Sequence, residues 1–269
     1  MIETIYIARH GYRANWIDAQ CGTVTGLARD HPLAAYGEAQ ARELATYFQT
    51  LPEAKRPTAI FSSPYYRCLQ TALPVANVLN LPIHVEHGLS EWYSPVAPGT
   101  GLHPRPLAAA DLNRYFIEID PSWSSVWYPS RKGEDVKEVH ARVNGFLDLF
   151  VPEVETRFAD QHENILLVSH AATTIALCRG LLALPDMPLR VGCCSVSEFS
   201  RKPATHGILG AWGAKKLVDG SHLKDGASRD WGFEDIEMAN GKVVNDIGVP
   251  GTERLENGPS GPQIPRSVL

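Results

Sequence analysis

At 269 residues, 44% hydrophobic and 20% charged, the chain has an ordinary globular composition and can bury one or two cores. Thirty acidic against 25 basic residues leave a net charge of −5, which argues against bulk attraction to nucleic acid or an anionic membrane and leaves room for a local basic pocket. No apolar run approaches the ~18 residues a membrane span needs. Met1–Thr4 lacks the charged start and long apolar stretch of a signal peptide, so a cytoplasmic and/or nuclear location is expected.

Thr4–Ala8 reads as a short buried strand that runs into Arg9-His10-Gly11. Residues 37–48 place Ala41, Leu44, Ala45 and Phe48 on one face of a helix. Ala59-Ile60-Phe61 is a second strand, stopping at Ser62-Ser63. A serine cap with Pro64 in the first turn then predicts a helix carrying Leu69, Ala72, Leu73 and Ala76, which Pro74 should kink or end early. Residues 82–86 suggest a third strand. Residues 93–131 hold six prolines and many aromatics, and read as a lid-like insertion with a short helix near Asp111–Ile119.

From Asp135 the apolar residues Val136, Val139, Val143, Phe146 and Phe150 recur at helical spacing. Residues 164–169 form the clearest buried strand, followed by a helix over 171–184. Ser195–Phe199 and Gly207–Trp212 resemble two further strands. Asn240-Gly241 is a hairpin signal, and the proline- and glycine-rich segment 249–269 is expected to lack fixed structure. Alternating strands and helices imply an α/β three-layer sandwich, with a mostly parallel central sheet and helices on both faces. The expected domains are 1–215, an extension over 216–248 that packs on it, and the tail.

The five cysteines show no zinc spacing, and Cys193-Cys194 is read as a pair of buried inert thiols in a reducing compartment.

Several candidate residues fall just past predicted strand ends, where α/β sheets collect ligands. A phosphoryl group in transfer spreads charge over three oxygens, and arginine forks match them. Arg9, Arg13 and Arg67 would supply the forks and His170 a further donor. His10 would be the in-line nucleophile, kept neutral by nearby arginines, with its second ring nitrogen donating to a backbone carbonyl. Glu91 would protonate the leaving oxygen and then deprotonate the hydrolytic water. The scheme requires no metal or other cofactor. His31, His84, His87, His103, His140, His162, His206 and His222 have no such partner pattern and are expected to be structural or exposed.

Arg9-His10-Gly11, the block Ser62-Ser63-Pro64-x-x-Arg67-x-x-Gln70-Thr71-Ala72 and the strand closing in Ser169-His170 together resemble the histidine phosphatase, or phosphoglycerate mutase-like, superfamily over roughly residues 1–215. The resemblance implies that His10 is phosphorylated and that Arg9, Arg67 and His170 complete the phosphate pocket. Arg13 and Gly88-Leu89-x-Glu91-Trp92 are similar to one branch. It contains the phosphatase domains of ubiquitin-associated and SH3-containing T-cell regulators, and a domain of a fungal RNA polymerase III transcription factor subunit. There the equivalents of Arg13 and Glu91 belong to the active site.

Ala171 after His170 departs from the secreted acid phosphatases, Trp92-Tyr93-Ser94 after Glu91 departs from the mutases, and Tyr12 replaces a common acidic residue. The implied activity is a metal-independent phosphomonoester hydrolase acting on a phosphorylated small molecule or a phosphoprotein. The competing reading is an interaction module of a larger assembly, such as a transcription-factor complex; a mutase comes third. A protein-complex subunit and a homodimer both stay open, and neither direct nucleic-acid binding nor membrane contact is expected. Tyr93, Tyr115, Trp123, Trp127 and Tyr128 either wall a cleft for an apolar ester or form an accessory core, and the core is favoured.

Overall fold

The computed structural model describes residues 1–264 apart from positions 160, 204, 206, 237, 240 and 241. His206, the Asn240-Gly241 turn and the end of the tail therefore lie outside the described residues. The elements in chain order are β1 (Thr4–Arg9), α1 (Ala35–Thr50), β2 (Ala59–Ser62), α2 (Tyr66–Leu79) and β3 (Ile83–Val85). Then come α3 (Ala109–Leu112), β4 (Trp127–Tyr128), α4 (Val136–Arg157), β5 (Asn164–Ser169) and α5 (Ala171–Leu182). The remaining strands are β6 (Val196–Arg201), β7 (Trp212–Asp219), β8 (Met238–Ala239), β9 (Lys242–Val243) and β10 (Gly261–Pro262).

Six strands form one sheet in the order β3-β2-β5-β1-β6-β7. The first four run parallel, and β6 and β7 are antiparallel additions. Side chains alternate across the sheet. Ile5 and Ile7 of β1 and Leu167 of β5 join a core with Val143 and Phe146 of α4 and Ile175 of α5. Tyr6, Ala8 and Leu166 point the other way, into a core with Leu44 of α1 and Leu69 and Ala72 of α2. Both faces being covered explains the unbroken apolar runs of β1 and β5. Among the described residues, no helix is long and apolar enough to cross a membrane.

Local expectations needed correction. The helix α2 does not start on a serine cap. It starts at Tyr66, whose amide donates to the buried Asp30 carboxylate at 2.8 Å, and the Ser63 hydroxyl is used elsewhere. Pro74 does not end it, because Thr71 and Ala72 before the proline and Val75 and Ala76 after it are all buried. That burial offsets the lost backbone bond, which costs about 3 kcal/mol. The short helix of the insertion covers only Ala109–Leu112.

The strand expected at 207–212 instead begins at Trp212 and runs to Asp219, so a boundary at 215 cuts through it. As the sheet edge, β7 carries the exposed Lys215 and a half-buried Lys216, which hides the apolar pattern. β8 and β9 pair antiparallel on either side of the predicted turn. The described part of the tail is ordered: Val249 donates to the Leu102 carbonyl at 2.9 Å and β10 pairs with β4. The insertion presents unpaired backbone groups there, and the tail satisfies them.

The insertion is anchored from below by Glu86, fully buried. Its carboxylate accepts from the amides of Gly88 (2.7 Å) and Val126 (2.9 Å) and from the Trp123 indole (3.0 Å).

Candidate active site

The four parallel strands deliver the site. His10 follows β1, Ser63 follows β2, His170 follows β5, and Glu91 lies in the segment leaving β3. Arg67 sits in the first turn of α2. All lie at the carboxyl edge of the sheet, beside the central strands β1 and β5.

Close backbone approach fixes the turn that carries His10. A Cβ on Gly11 would come within 2.7 Å of the Gly37 carbonyl oxygen, and one on Gly37 within 2.2 Å of that of Tyr12. Only two glycines let the loop after β1 rest on the start of α1. The Gly11 amide donates to Thr71 Oγ1 at 3.0 Å, the Leu33 amide to Gln70 Oε1 at 2.7 Å and the Tyr12 amide to Gln40 Oε1 at 3.0 Å. These bonds give Gln70 and Thr71 of the Gln-Thr-Ala block a physical role, tying α2 to the loop that carries His10.

His10 is buried, and its Nδ1 lies 2.8 Å from the Gly11 carbonyl oxygen, which can only accept. The proton therefore resides on Nδ1 and leaves the Nε2 lone pair free. Burial first, then Arg67, His170, Arg9 and Arg13, hold the His10 pKa well below the ordinary imidazole value, so the ring is neutral.

Three guanidiniums surround it. Arg67 is fully buried, with Nη2 3.2 Å from Glu91 Oε2 and Nη1 3.6 Å from Asp30 Oδ1. Arg9 Nη1 donates to the carbonyls of Val191 and Arg229, each at 2.5 Å. Arg13 lies over the Trp16 ring at 4.3 Å, and its pKa, lowered to about 10 mainly by burial, still leaves it charged at neutral pH. The Nε atoms of Arg9, Arg13 and Arg67 are all buried without a hydrogen-bond partner among the described residues. Three orphaned cationic donors are costly unless an anion meets them.

His170 is fully buried, and its Nε2 lies 2.8 Å from Ser63 Oγ while its Nδ1 lies 3.3 Å from Glu91 Oε2. Burial lowers its pKa to about 4. Its Nδ1 meets both Glu91, which can only accept, and Arg67 Nη2 at 3.2 Å, which can only donate, while the Ser63 hydroxyl at Nε2 serves either tautomer of the neutral ring. Burial alone would raise the Glu91 carboxyl; His170, Arg67 and Arg13 outweigh it and hold the group below the usual carboxylate range. The Glu91 segment is itself pinned. Ser169 Oγ donates to the Leu89 carbonyl at 2.7 Å, Thr173 Oγ1 to that of Ser90 at 2.8 Å and Arg142 Nη1 to that of Gly88 at 2.9 Å.

Nitrogens of His10 and His170 and an oxygen of Glu91 lie within 4.8 Å of one another, a spacing a cation could bridge. The surrounding guanidiniums already supply positive charge, so the donor set fits an anion rather than a cation.

The structure thus brings all six predicted residues together: His10, Arg9, Arg13, Arg67, Glu91 and His170. Sequence reasoning gave no role to Ser63, which looked like a cap, nor to Trp16, which sits under the guanidiniums of Arg9, Arg13 and Arg229 at 5.7, 4.3 and 5.2 Å. Of the insertion aromatics, only Tyr93 lines the cleft. Trp123 packs on Phe61 and Phe150, Tyr128 stacks on His87, Trp127 covers Gly145, and Tyr115 meets Tyr66. The cleft aromatics are instead Trp92 and Trp231. Trp231 carried no periodicity or motif that could have marked it. Cys193 and Cys194 are buried thiols with pKa values pushed up by burial.

Comparison with known proteins places the chain in a family. The chain is 40% identical over 211 residues to the transcription factor tau 55 kDa subunit of Saccharomyces cerevisiae, an alignment covering 74% of this chain and 47% of that protein. It thus spans about half the length of that relative. Among solved structures it is similar to the ecdysone phosphate phosphatase of Bombix mori, with a TM-score of 0.62 at 18% identity over 80% of this chain and 93% of the other. It is also similar to a mycobacterial glucosyl-3-phosphoglycerate phosphatase, with a TM-score of 0.52 at 20% identity over 80% and 98%. The family model for branch 1 of the histidine phosphatase superfamily matches residues 5–210, and the chain belongs to that family.

Proposed function

We propose that the protein is a metal-independent phosphomonoester hydrolase working through a phosphohistidine at His10. The observation that carries this reading is a neutral His10, its Nδ1 tied to a carbonyl, ringed by three guanidiniums with orphaned buried Nε atoms.

In the first step, the Nε2 lone pair forms the N–P bond in line with the ester oxygen. The P–O bond breaks, and its electrons leave with that oxygen, which takes a proton from Glu91. Arg9, Arg13, Arg67 and His170 hold the equatorial oxygens as charge spreads. Glu91 is ionised in the free protein, so bound phosphate must load it. A dianion beside the carboxylate draws Arg67 and Arg13 away and raises its proton affinity. In the second step water attacks phosphorus, Glu91 takes its proton, and the P–N bond electrons return to Nε2. Positive charge comes from side chains throughout, so no metal is needed.

Turnover of a generic aryl phosphate by wild type and by His10→Ala tests the reading. Wild-type hydrolysis that the variant loses supports it. No turnover across a phosphoester panel, or full turnover by the variant, sinks it.

A second reading, an interaction module of a larger assembly, is favoured by the 40% identity to a transcription factor subunit. A nuclear location and membership of a protein complex belong to it. Purification of the native protein tests it: a stable stoichiometric partner supports it, and its absence counts against it. The intact site argues that activity accompanies any such role.

A further inference from the structure

We propose that Asp30 is a positioning residue that makes Glu91 a proton donor: by holding Arg67 from the far side, it leaves the site one positive charge short once a phosphate dianion is bound. This rests on the phosphatase reading and adds the device that loads the acid.

Arg67 lies between two carboxylates. Its Nη2 is 3.2 Å from Glu91 Oε2, and its Nη1 is 3.6 Å from Asp30 Oδ1. The two acids are placed differently. Glu91 lines the cleft, whereas Asp30 is fully buried. Asp30 is also fixed. The Tyr66 amide donates to its Oδ1 at 2.8 Å and Thr25 Oγ1 to its Oδ2 at 3.0 Å. Burial raises its pKa, and Arg67 with these two bonds opposes that and favours the charged form. Arg67 is fixed in turn: its Nη1 donates to the Arg29 carbonyl at 3.3 Å, and its guanidinium lies over the Tyr65 ring at 4.5 Å. It therefore keeps its place when Glu91 lets go.

The charge count decides what this arrangement does. Arg9, Arg13 and Arg67 carry three positive charges, Glu91 and Asp30 carry two negative ones, and His10 and His170 are neutral. Arg29 is paired with Asp246 at 2.6 Å and adds no net charge, and Arg229, over Trp16, is exposed to water that screens it. The free site is thus positive by one charge, and a bound dianion makes it negative by one. An unmatched buried charge is costly. A proton on Glu91, the acid that faces the cleft, restores neutrality. With a neutral residue at position 30, the dianion alone would balance the site. Glu91 would then stay ionised, with no proton for the leaving oxygen. Asp30 gives up some affinity for the anion and secures the acid.

Calorimetric titration of the whole chain with sulfate, a dianion that does not titrate near neutral pH, reads this without turnover. Repeating it in buffers of different ionisation enthalpy counts the protons taken up. Wild type should take up about one proton per sulfate bound. Glu91→Gln should take up none, which separates Glu91 from His31, the neighbour of Asp30 that also lines the cleft. Asp30→Asn keeps an oxygen for the Tyr66 amide and loses the charge. It should bind sulfate roughly tenfold more tightly and take up about half a proton or less. An Asp30 that only supports the fold would instead weaken binding when replaced and leave the uptake unchanged. Asp30→Ser, also neutral and able to accept from the amide, serves should Asp30→Asn not fold. No proton uptake by wild type, or weaker binding or unchanged uptake in the neutral variant, overturns the inference while anion binding leaves the phosphatase reading standing. Failure to bind sulfate and inorganic phosphate alike overturns both.

Discussion

The two ends of the active site are built in different ways. The phosphate end is assembled from short segments at the tips of parallel strands, each locked by backbone contacts and buried hydrogen bonds. The outer end of the cleft joins residues at the border of the 93–131 insertion to loops of the C-terminal extension, held by aromatic packing and by the ion pair of Asp246 with Arg29, which comes from the segment between β1 and α1. On the proposed reading, chemistry common to every ester would sit where the scaffold is stiffest, and discrimination where loops meet. Substitutions at the first end should affect all substrates alike, and those at the second should change ratios.

Acid stability draws on both ends. Five buried histidines have pKa values depressed mainly by burial: His10 and His170 at the phosphate end, and His84, His87 and His103 in and beneath the insertion, with His170, His84 and His87 at about 4. Each is neutral when folded, yet binds a proton when unfolded below about pH 6.5. Stability present above that pH is therefore lost as pH falls towards 4. Five histidine protons, set against the one that buried Glu86 (pKa raised to about 7 by burial) takes up on folding, leave a slope that approaches about 5 kcal/mol per pH unit. Denaturant unfolding over that range measures it, and replacing His10 and His170 together by Asn should remove about half. A slope below one proton would show that neither end holds its rings neutral.

Loss of a fork is next in size. Arg67→Ala removes a buried charge between Glu91, Asp30 and the phosphate, and should lower kcat/KM by about 10³-fold, roughly 4 kcal/mol, for aryl and alkyl esters equally. A loss confined to one ester class would break the division between the ends.

Ser63 gives the smallest effect. Its hydroxyl lies 2.8 Å from His170 Nε2 and would act by orienting that ring. Ser63→Ala should cost about tenfold in kcat and shift the ring-nitrogen NMR signature of His170, with rescue by Ser63→Thr. An unchanged signature would reduce Ser63 to packing.

The sequence was most legible where geometry is local. Arg9-His10-Gly11 follows a strand, and Gly11 is needed because Gly37 approaches its backbone, so the motif carries its own structural reason. Arg67 is visible because a helix must follow β2. Sheet and layers were readable because β1 and β5 are apolar on both faces. Legibility failed where a residue's role depends on a distant partner. The start of α2 is set by Asp30, 36 positions upstream, and not by Ser63. Glu86 anchors the insertion through groups 37 and 40 positions away, with no periodic trace. Residues 249–264 read as unstructured from composition, but are ordered by backbone pairing with the insertion. Trp231 is the extreme case, since its partner Trp92 lies in another segment and only the folded chain joins them.

The central claim is covalent: phosphorus passes through His10. Glu91→Gln should still be phosphorylated by an aryl phosphate, whose phenolate needs no acid to leave, but should lack the base that activates water. Rapid quenching of that variant with a radiolabelled aryl phosphate, followed by peptide mapping, is the direct measurement. The account predicts a phosphoryl group on His10, stable to alkali and lost in acid, that wild type turns over and His10→Ala never forms. Label on any other residue, or rapid turnover by Glu91→Gln with His10 unlabelled, would contradict it.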